Sequence, residues 1–343
     1  MKNLFKLMLL IVAVFTLSVA CSSDDTGNDN NENSNPSVFN VTVSSVTESS
    51  AVVNWTSSTD TDGDVVTYTV TLNGTEVVSN SSDLLISLTA LNLDTLYSGD
   101  VTASDGNGGS VTVDFNFTTL AEAPTLHAAF AAFDVDYTDI YLDGSDVIIE
   151  TIGEPNHLTP YYSTSHPLYT APTVTSQAQM TPTRIDTANR DYEAALTVSS
   201  NPQLANTTSA TQLGSIGIAV SGAFIYNDQE GNGPLDSAAG SLDYAGAHIG
   251  PSNYHYHLEP LPFTDDDENL VGIISDGFFI YGRQCNSTGT YPTDLDASGG
   301  HTSTTQHTDE SEYHYHIINE VYGSLGRYLV FAGPYQGTPN AIN

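Results

Sequence analysis

The tetrapeptide Tyr254-His255-Tyr256-His257 recurs letter for letter as Tyr313-His314-Tyr315-His316. Tyrosine favours strands, and strict alternation has the period of an extended chain rather than of a helix. Successive side chains on a strand leave opposite faces. His255 and His257 therefore share one face, with Tyr254, Tyr256 and Leu258 on the other. In the second copy His314 and His316 oppose Tyr313, Tyr315 and Ile317. Two imidazoles at i and i+2 on one strand face are close enough to hold one metal ion.

The two copies close a longer repeat of three blocks in one order. The run from Gly217 to Tyr226, with Ser221-Gly222 inside it, is echoed from Gly272 to Tyr281, with Asp276-Gly277 inside it. Both read as tight hairpins with those pairs at the two turn positions. Leu242-Asp243-Tyr244-Ala245-Gly246-Ala247-His248 is echoed by Leu295-Asp296-Ala297-Ser298-Gly299-Gly300-His301. The expectation is two pseudo-equivalent halves, near 210–260 and 268–335, in one mostly-β domain spanning 123–343.

Each half supplies one histidine after a Gly-rich turn and two on a strand: His248, His255 and His257, then His301, His314 and His316. A His-x-His strand with a third histidine from a neighbouring element is the donor set of three-histidine zinc and copper sites. A neutral imidazole ligates through one ring nitrogen and donates the other to an acceptor that fixes the ring. Asp243 and Asp296, five residues before His248 and His301, are candidates for that acceptor or for a carboxylate ligand. The simpler alternative is six histidines that pack or hydrogen-bond where the halves meet. The tyrosines read as core, Asp276 as a turn residue, and His307, outside the repeat, as incidental. Five residues separate His248 from Tyr254 and eleven separate His301 from Tyr313, which favours non-equivalent sites. One shared site and two separate sites both remain open.

The start of the chain is a basic Met1–Lys6 segment, an apolar run from Leu7 to Ala20, and Cys21. That is the layout of an export signal, too short for a membrane span. Leu17-Ser18-Val19-Ala20-Cys21 resembles a bacterial lipoprotein signal. The resemblance implies removal of residues 1–20, lipid on Cys21 and anchorage to the outer membrane. An ordinary secretory signal with an incidental cysteine is the alternative, and both place the mature chain outside the cytoplasm. Residues 21–37 read as an acidic flexible tether. Its Ser22-Ser23-Asp24-Asp25 start resembles the acidic stretch that sends some lipoproteins to the cell surface. Both lysines lie in the signal, leaving Arg184, Arg190, Arg283 and Arg327 against 41 acidic residues. Nucleic acid is a poor partner for such a chain, and cations are good ones. With Cys21 lipidated, Cys285 would stand alone without an intrachain disulfide.

From residues 38 to 120 alternating runs such as Ala51–Trp55, Thr67–Leu72 and Val111–Phe117 are punctuated by Asp62-Gly63, Asn73-Gly74 and Asn107-Gly108-Gly109. This is an all-β pattern. With Trp55 on an early strand, Tyr68 on the next, the Leu91–Tyr97 spacing and the closing Phe117-Thr118-Thr119, it resembles a fibronectin type III domain. The resemblance implies a β-sandwich whose Trp and Tyr are core and corner residues. It also implies a role as a spacer or as a contact module for an extracellular protein or glycan. Asp60, Asp62 and Asp64 could hold calcium on one loop, as alternating carboxylates do, or simply form a polar turn.

The C-terminal region, over roughly 135–335, resembles the YHYH protein family. The residues that carry this are both Tyr-His-Tyr-His copies, the Ser275–Gly282 block, the two Leu-Asp…Gly…His turns and Gly153-Glu154-Pro155-Asn156-His157. That last block adds His157 to the candidate ligands. The resemblance implies a secreted or surface domain without fixing a chemistry. Family members often carry Cys in the Leu-Asp turn, where this chain has Ala245 and Ser298. A metal site here is therefore expected to use histidine and carboxylate alone. No phosphate-cradling Gly-Lys loop, His-Glu-x-x-His or Gly-x-Ser-x-Gly is present. Three functional readings follow: a metal-binding surface lipoprotein, a metal-dependent hydrolase or oxidase, and a non-catalytic adhesion or glycan-binding protein with structural histidines. Whether the protein is an enzyme stays open.

Overall fold

The structure, a computed structural model, describes residues 33–172, 184–185, 187, 193–231, 233–250, 253–323 and 325–343. Residues 1–20 and Cys21 lie outside these. The chain divides into two compact units between Glu122 and Ala123. It is all-β, and among the described residues no helix is long and apolar enough to cross a membrane.

The N-terminal unit has strands β1 (Val41–Ser44), β2 (Ala51–Trp55), β3 (Thr67–Leu72), β4 (Thr75–Ser81), β5 (Leu85–Leu88), β6 (Leu96–Ser104) and β7 (Ser110–Thr118). They form two antiparallel sheets, ordered β1-β2-β5 and β4-β3-β6-β7. Alternation decides the inner faces: Val53, Trp55, Val70, Val101 and Phe117 are buried, and their neighbours along each strand are not. The phenol oxygen of Tyr97 accepts the Asn92 N–H at 2.8 Å, and that of Tyr68 accepts the Ser58 N–H at 2.6 Å. Each tyrosine thus serves as core body and corner clasp. The three loop aspartates do not form a converging donor set. Asp60 Oδ1 accepts the N–H groups of Asp62 and Asp64, and Asp62 Oδ2 accepts that of Ser34. The calcium expectation is corrected to an aspartate-stabilised turn, because Asp60 Oδ1 and Asp62 Oδ2 are taken by backbone donors and the three carboxylates are not among the groups of converging ligand atoms.

The C-terminal unit begins with β8 (Thr138–Asp143), β9 (Asp146–Thr151) and β10 (Ala194–Ser199), an antiparallel sheet ordered β10-β9-β8. Next come β11 (Gly217–Ala219), β12 (Phe224–Ile225), the short ribbon β13 (Gln229–Glu230) and β14 (Gly233–Pro234), β15 (Ala247–Ile249) and β16 (Tyr254–Tyr256). They are followed by β17 (Leu270–Ile274), β18 (Phe279–Tyr281), β19 (Gly300–Thr305) and β20 (Thr308–His316). Eight of these form one sheet in the order β15-β16-β12-β11-β17-β18-β20-β19. Read from either edge, the order is turn-histidine strand, Tyr-His-Tyr-His strand, second and then first hairpin strand. The halves meet where β11 runs antiparallel to β17, pairing Gly217 with Ile274 and Ala219 with Gly272. A Cβ at Gly217 would lie 2.6 Å from the Ile273 carbonyl, so the close approach at this seam requires glycine.

The hairpin turns are one residue longer than the dipeptide pattern implies. Ala219 N–H bonds Ala223 O across Val220-Ser221-Gly222, and Ile274 N–H bonds Phe278 O across Ser275-Asp276-Gly277. Gly222 and Gly277 adopt φ of 91° and 94°, the left-handed residue that closes a three-residue loop.

One face of the large sheet carries Ile218, Phe224, Ile273 and Phe279, packed on Val147, Ile149, Leu196 and Val198 of the smaller sheet. Burying each such side chain contributes about 1.5–3 kcal/mol. The opposite face carries Ile225, Ile280, Tyr254, Tyr256 and Tyr315 under Tyr161, Tyr162 and Phe331. Phe224 is in register with His255 and Tyr281 with His316, so the histidines share the face of the smaller sheet, toward the two edges of the large one.

Candidate metal centres

Alternation along β16 and the residue that directly follows it, His257, and along β20 places each histidine pair on one face, and hairpin register supplies the third ring. His248 stands directly opposite His255 across β15–β16, and His301 opposite His314 across β19–β20. The register is the same although the connecting segments differ in length. The extra residues of the second half lengthen the β19–β20 hairpin away from the histidines. The spacing that suggested non-equivalence therefore does not disturb the rings. Each strand pair meets the turn histidine of its own half, giving two centres. Five strand spacings lie between β16 and β20, so the centres are roughly 24 Å apart at about 4.8 Å per strand.

The first centre gathers Glu230, His248, His255 and His257, with one ligand atom from each within 4.8 Å of the others. His255 Nε2 and His257 Nε2 are 3.0 Å apart. Glu230 Oε2 lies 3.3 Å from His248 Nε2 and 3.5 Å from His257 Nε2. The second centre gathers Cys285, His301, His314 and His316 within the same limit. His314 Nε2 and His316 Nε2 are 3.1 Å apart, and Cys285 Sγ is 3.5 Å from His301 Nε2. A tetrahedral ion with Zn–N and Zn–S distances of about 2.05 and 2.3 Å puts N···N edges near 3.3 Å and N···S edges near 3.6 Å.

The outer ring nitrogens settle which way each imidazole points its lone pair. His255 Nδ1 faces Asn253 O at 2.9 Å and His257 Nδ1 faces Asn227 O at 2.6 Å. His314 Nδ1 faces Glu312 O at 3.0 Å and His316 Nδ1 faces Gly282 O at 2.8 Å. A carbonyl oxygen only accepts, so all four Nδ1 atoms carry hydrogen. In the neutral rings the Nε2 lone pairs then point at each other across about 3 Å, which is repulsive unless a cation lies between them. His248 Nδ1 contacts Ser241 Oγ at 2.8 Å, and His301 Nδ1 contacts Asp294 Oδ1 at 2.8 Å. These are the acceptors that fix ligating rings in metal sites.

Burial, then the neighbouring rings of His257 and His248, holds the His255 pKa well below the ordinary value. Burial and His316 take His314 down to about 3. Both rings are neutral and ligand-ready at physiological pH. His248 and His257 beside Glu230 hold its carboxyl well below the usual range. Burial raises the Cys285 thiol, but the neighbouring His316 ring and the Ser287 and Ser303 hydroxyls outweigh it and bring the group to about 5. A thiol lowered in this way offers the thiolate, the form that binds metals.

Residues 195–293 match the family described as YHYH protein, and residues 34–115 match the fibronectin type III domain. The chain carries a YHYH domain and a fibronectin type III domain. No curated protein matches the sequence. Among solved structures, a computationally redesigned β-sandwich protein is 27% identical over 26% of this chain and 96% of its own, with a TM-score of 0.21. The central fibronectin-III array of RIM-binding protein is 20% identical over 35% of this chain and 42% of its own, also with a TM-score of 0.21.

Three sequence expectations for the YHYH domain are corrected. Asp243 and Asp296 bind neither metal site nor histidine. Asp243 Oδ1 accepts the N–H groups of Ala245 and Ala247, and its Oδ2 accepts the hydroxyls of Thr159 and Tyr254. Asp296 accepts from Ser298 N, Gly300 N and Tyr313 OH. Both carboxylates build the turn and anchor a tyrosine on the far face of the sheet. His157 also lies on the tyrosine face: its Nδ1 donates to Leu158 O, so its Nε2 accepts from Tyr256 OH at 2.6 Å. Asp276 is a turn residue that in addition accepts from Tyr315 OH at 2.7 Å.

The third correction concerns the donor set, since a cysteine does enter it. Ala245 and Ser298 contribute no sulfur, but Cys285 comes from a different segment. The sequence did contain the signal. Glu230 follows Tyr226 by four residues, and Cys285 follows Tyr281 by four. The Nδ1 acceptors obey the same rule: Asn227 and Gly282 directly follow those tyrosines, and Ser241 and Asp294 each precede their turn histidine by seven. Extending the first block by four residues would have aligned both fourth ligands, which differ in type and so escape an identity match.

Proposed function

We propose that this is an exported, lipid-anchored cell-envelope protein whose YHYH domain holds two transition-metal ions, one in each half of an internal repeat. The single observation behind the metal reading is the pair of Nε2···Nε2 contacts of 3.0 and 3.1 Å, each with both Nδ1 atoms committed to carbonyl oxygens. A proton between two rings would satisfy only those two donors, whereas a metal ion satisfies all four in each set. The adhesion reading, with histidines that merely pack, gives no reason to bury converging lone pairs. Zinc and copper both suit imidazole, and the thiolate of the second centre favours zinc or copper(I). Both sets are four-coordinate, which supports metal holding ahead of hydrolysis or oxidation.

The anchor reading rests on the Leu17–Cys21 sequence, and the fibronectin type III domain serves as a spacer between the envelope and the metal domain. Elemental analysis of the purified mature chain tests the metal reading, with two ions per chain expected after loading with Zn²⁺ or Cu⁺. The His255→Ala/His257→Ala variant should retain one. Fewer than one tightly held ion per two chains sinks the metal reading. Lipid attachment is tested separately by detergent partition of the full chain against Cys21→Ser; identical partition into the aqueous phase would rule out the anchor.

A further inference from the structure

The two centres share one backbone plan and differ in the fourth ligand and its access to solvent. Cys285 is completely buried, with the hydroxyls of Ser287 and Ser303 at 3.1 and 3.5 Å from its sulfur. Glu230 has 29% of its side chain exposed, against 4% for His248 and none for His257. It is carried by β13, a two-residue strand laddered to the equally short β14, whereas His248 and His255 sit in the eight-stranded sheet and His257 directly follows β16. Among the described residues His248 Nε2 has no hydrogen-bond partner of good geometry, and the Glu230 carboxylate lies 3.3 Å from it. A thiolate makes a strong, soft bond, while an oxygen donor on a short exposed ribbon is the easiest ligand to release. Structural metal sites are closed, and reactive ones keep a position that water can reach.

We propose that the cysteine centre is permanently closed and the glutamate centre is exchangeable. Glu230 swings aside on its ribbon, and water or a small anion takes the fourth position on an ion still held by His248, His255 and His257. This rests on the metal reading and assigns the two ions different roles, one holding the fold and one open to an external ligand.

The test uses the mature full chain loaded with Co²⁺, with azide as the probe and absorption as the readout. Two cobalt ions should bind, with a near-ultraviolet sulfur-to-cobalt band that Cys285→Ser abolishes. Azide should alter the visible cobalt bands of one ion and leave the sulfur band unchanged. Glu230→Ala should keep both ions and bind azide several-fold more tightly; Cys285→Ser should keep the azide response. Two bound ions with no azide response in either wild type or Glu230→Ala would overturn the inference and leave the metal reading intact. Loss of the sulfur band on azide addition would do the same. Failure to bind cobalt, zinc or copper at all would remove the metal reading and this inference with it.

Discussion

Metal loading should raise the stability of the YHYH domain in two separable steps. An ion that binds the folded chain alone stabilises it by RT ln(1 + [M]/Kd), about 4.1 kcal/mol at a thousandfold excess over Kd. Sites roughly 24 Å apart lie well beyond the 7–10 Å within which effects couple, so two sites should add to about 8 kcal/mol. For a domain of about 150–250 residues each kcal/mol moves Tm by about 2–4 °C, which gives roughly 8–16 °C per ion. Calorimetry of chelator-treated protein, before and after adding zinc, reads this directly. His255→Ala removes a donor from the first centre only, so its shift, measured from its own metal-free Tm, should be about half that of the wild type. No shift in the wild type would refute metal ligation. Complete loss in His255→Ala would refute two independent centres and point to a single cooperative one.

Without metal, stability should fall as pH drops from about 6.5 toward 3. His314 is held neutral in the fold, down to about 3, while the unfolded chain protonates near 6.5, so the unfolded state binds more protons in that window. Stability then rises with pH at about 1.4 kcal/mol per unit for this residue, with His255 acting in the same direction. Urea midpoints of chelated protein should fall accordingly, and a flat profile between pH 4 and 6 would contradict neutral buried rings. Asp243→Ala should cost more than about 3 kcal/mol, since four donors lose a buried carboxylate, yet leave two metal ions bound. Loss of one ion in a still-folded variant would restore Asp243 as a ligand.

Much of the domain was legible because a strand has a period of two. Alternation alone separated His255 and His257 from Tyr254 and Tyr256, and duplication aligned the hairpin, turn and strand blocks. Trp55, Tyr68 and Tyr97 likewise marked the sandwich. The acidic residues were harder. Asp243 sits as near to His248 in sequence as a ligand-orienting group would, but its carboxylate is spent on the turn's own N–H groups, which orients it toward the tyrosine face. His157 followed a family block faithfully and still ended on that face, because Tyr256 and not a neighbouring histidine meets it.

The sequence by itself determined the strands, the pairing of each histidine couple and the candidate role of His248 and His301, all consequences of local periodicity and repetition. Only the tertiary structure decided that each half closes on its own histidines, since that depends on antiparallel register across β15–β16 and β19–β20. It alone also brought in Glu230 and Cys285, from segments 18 and 16 residues before His248 and His301. Both stand four residues after a repeat tyrosine, but they differ in type, so repetition alone does not mark them as ligands; the path the chain takes after leaving β12 and β18 is what carries them to the histidines.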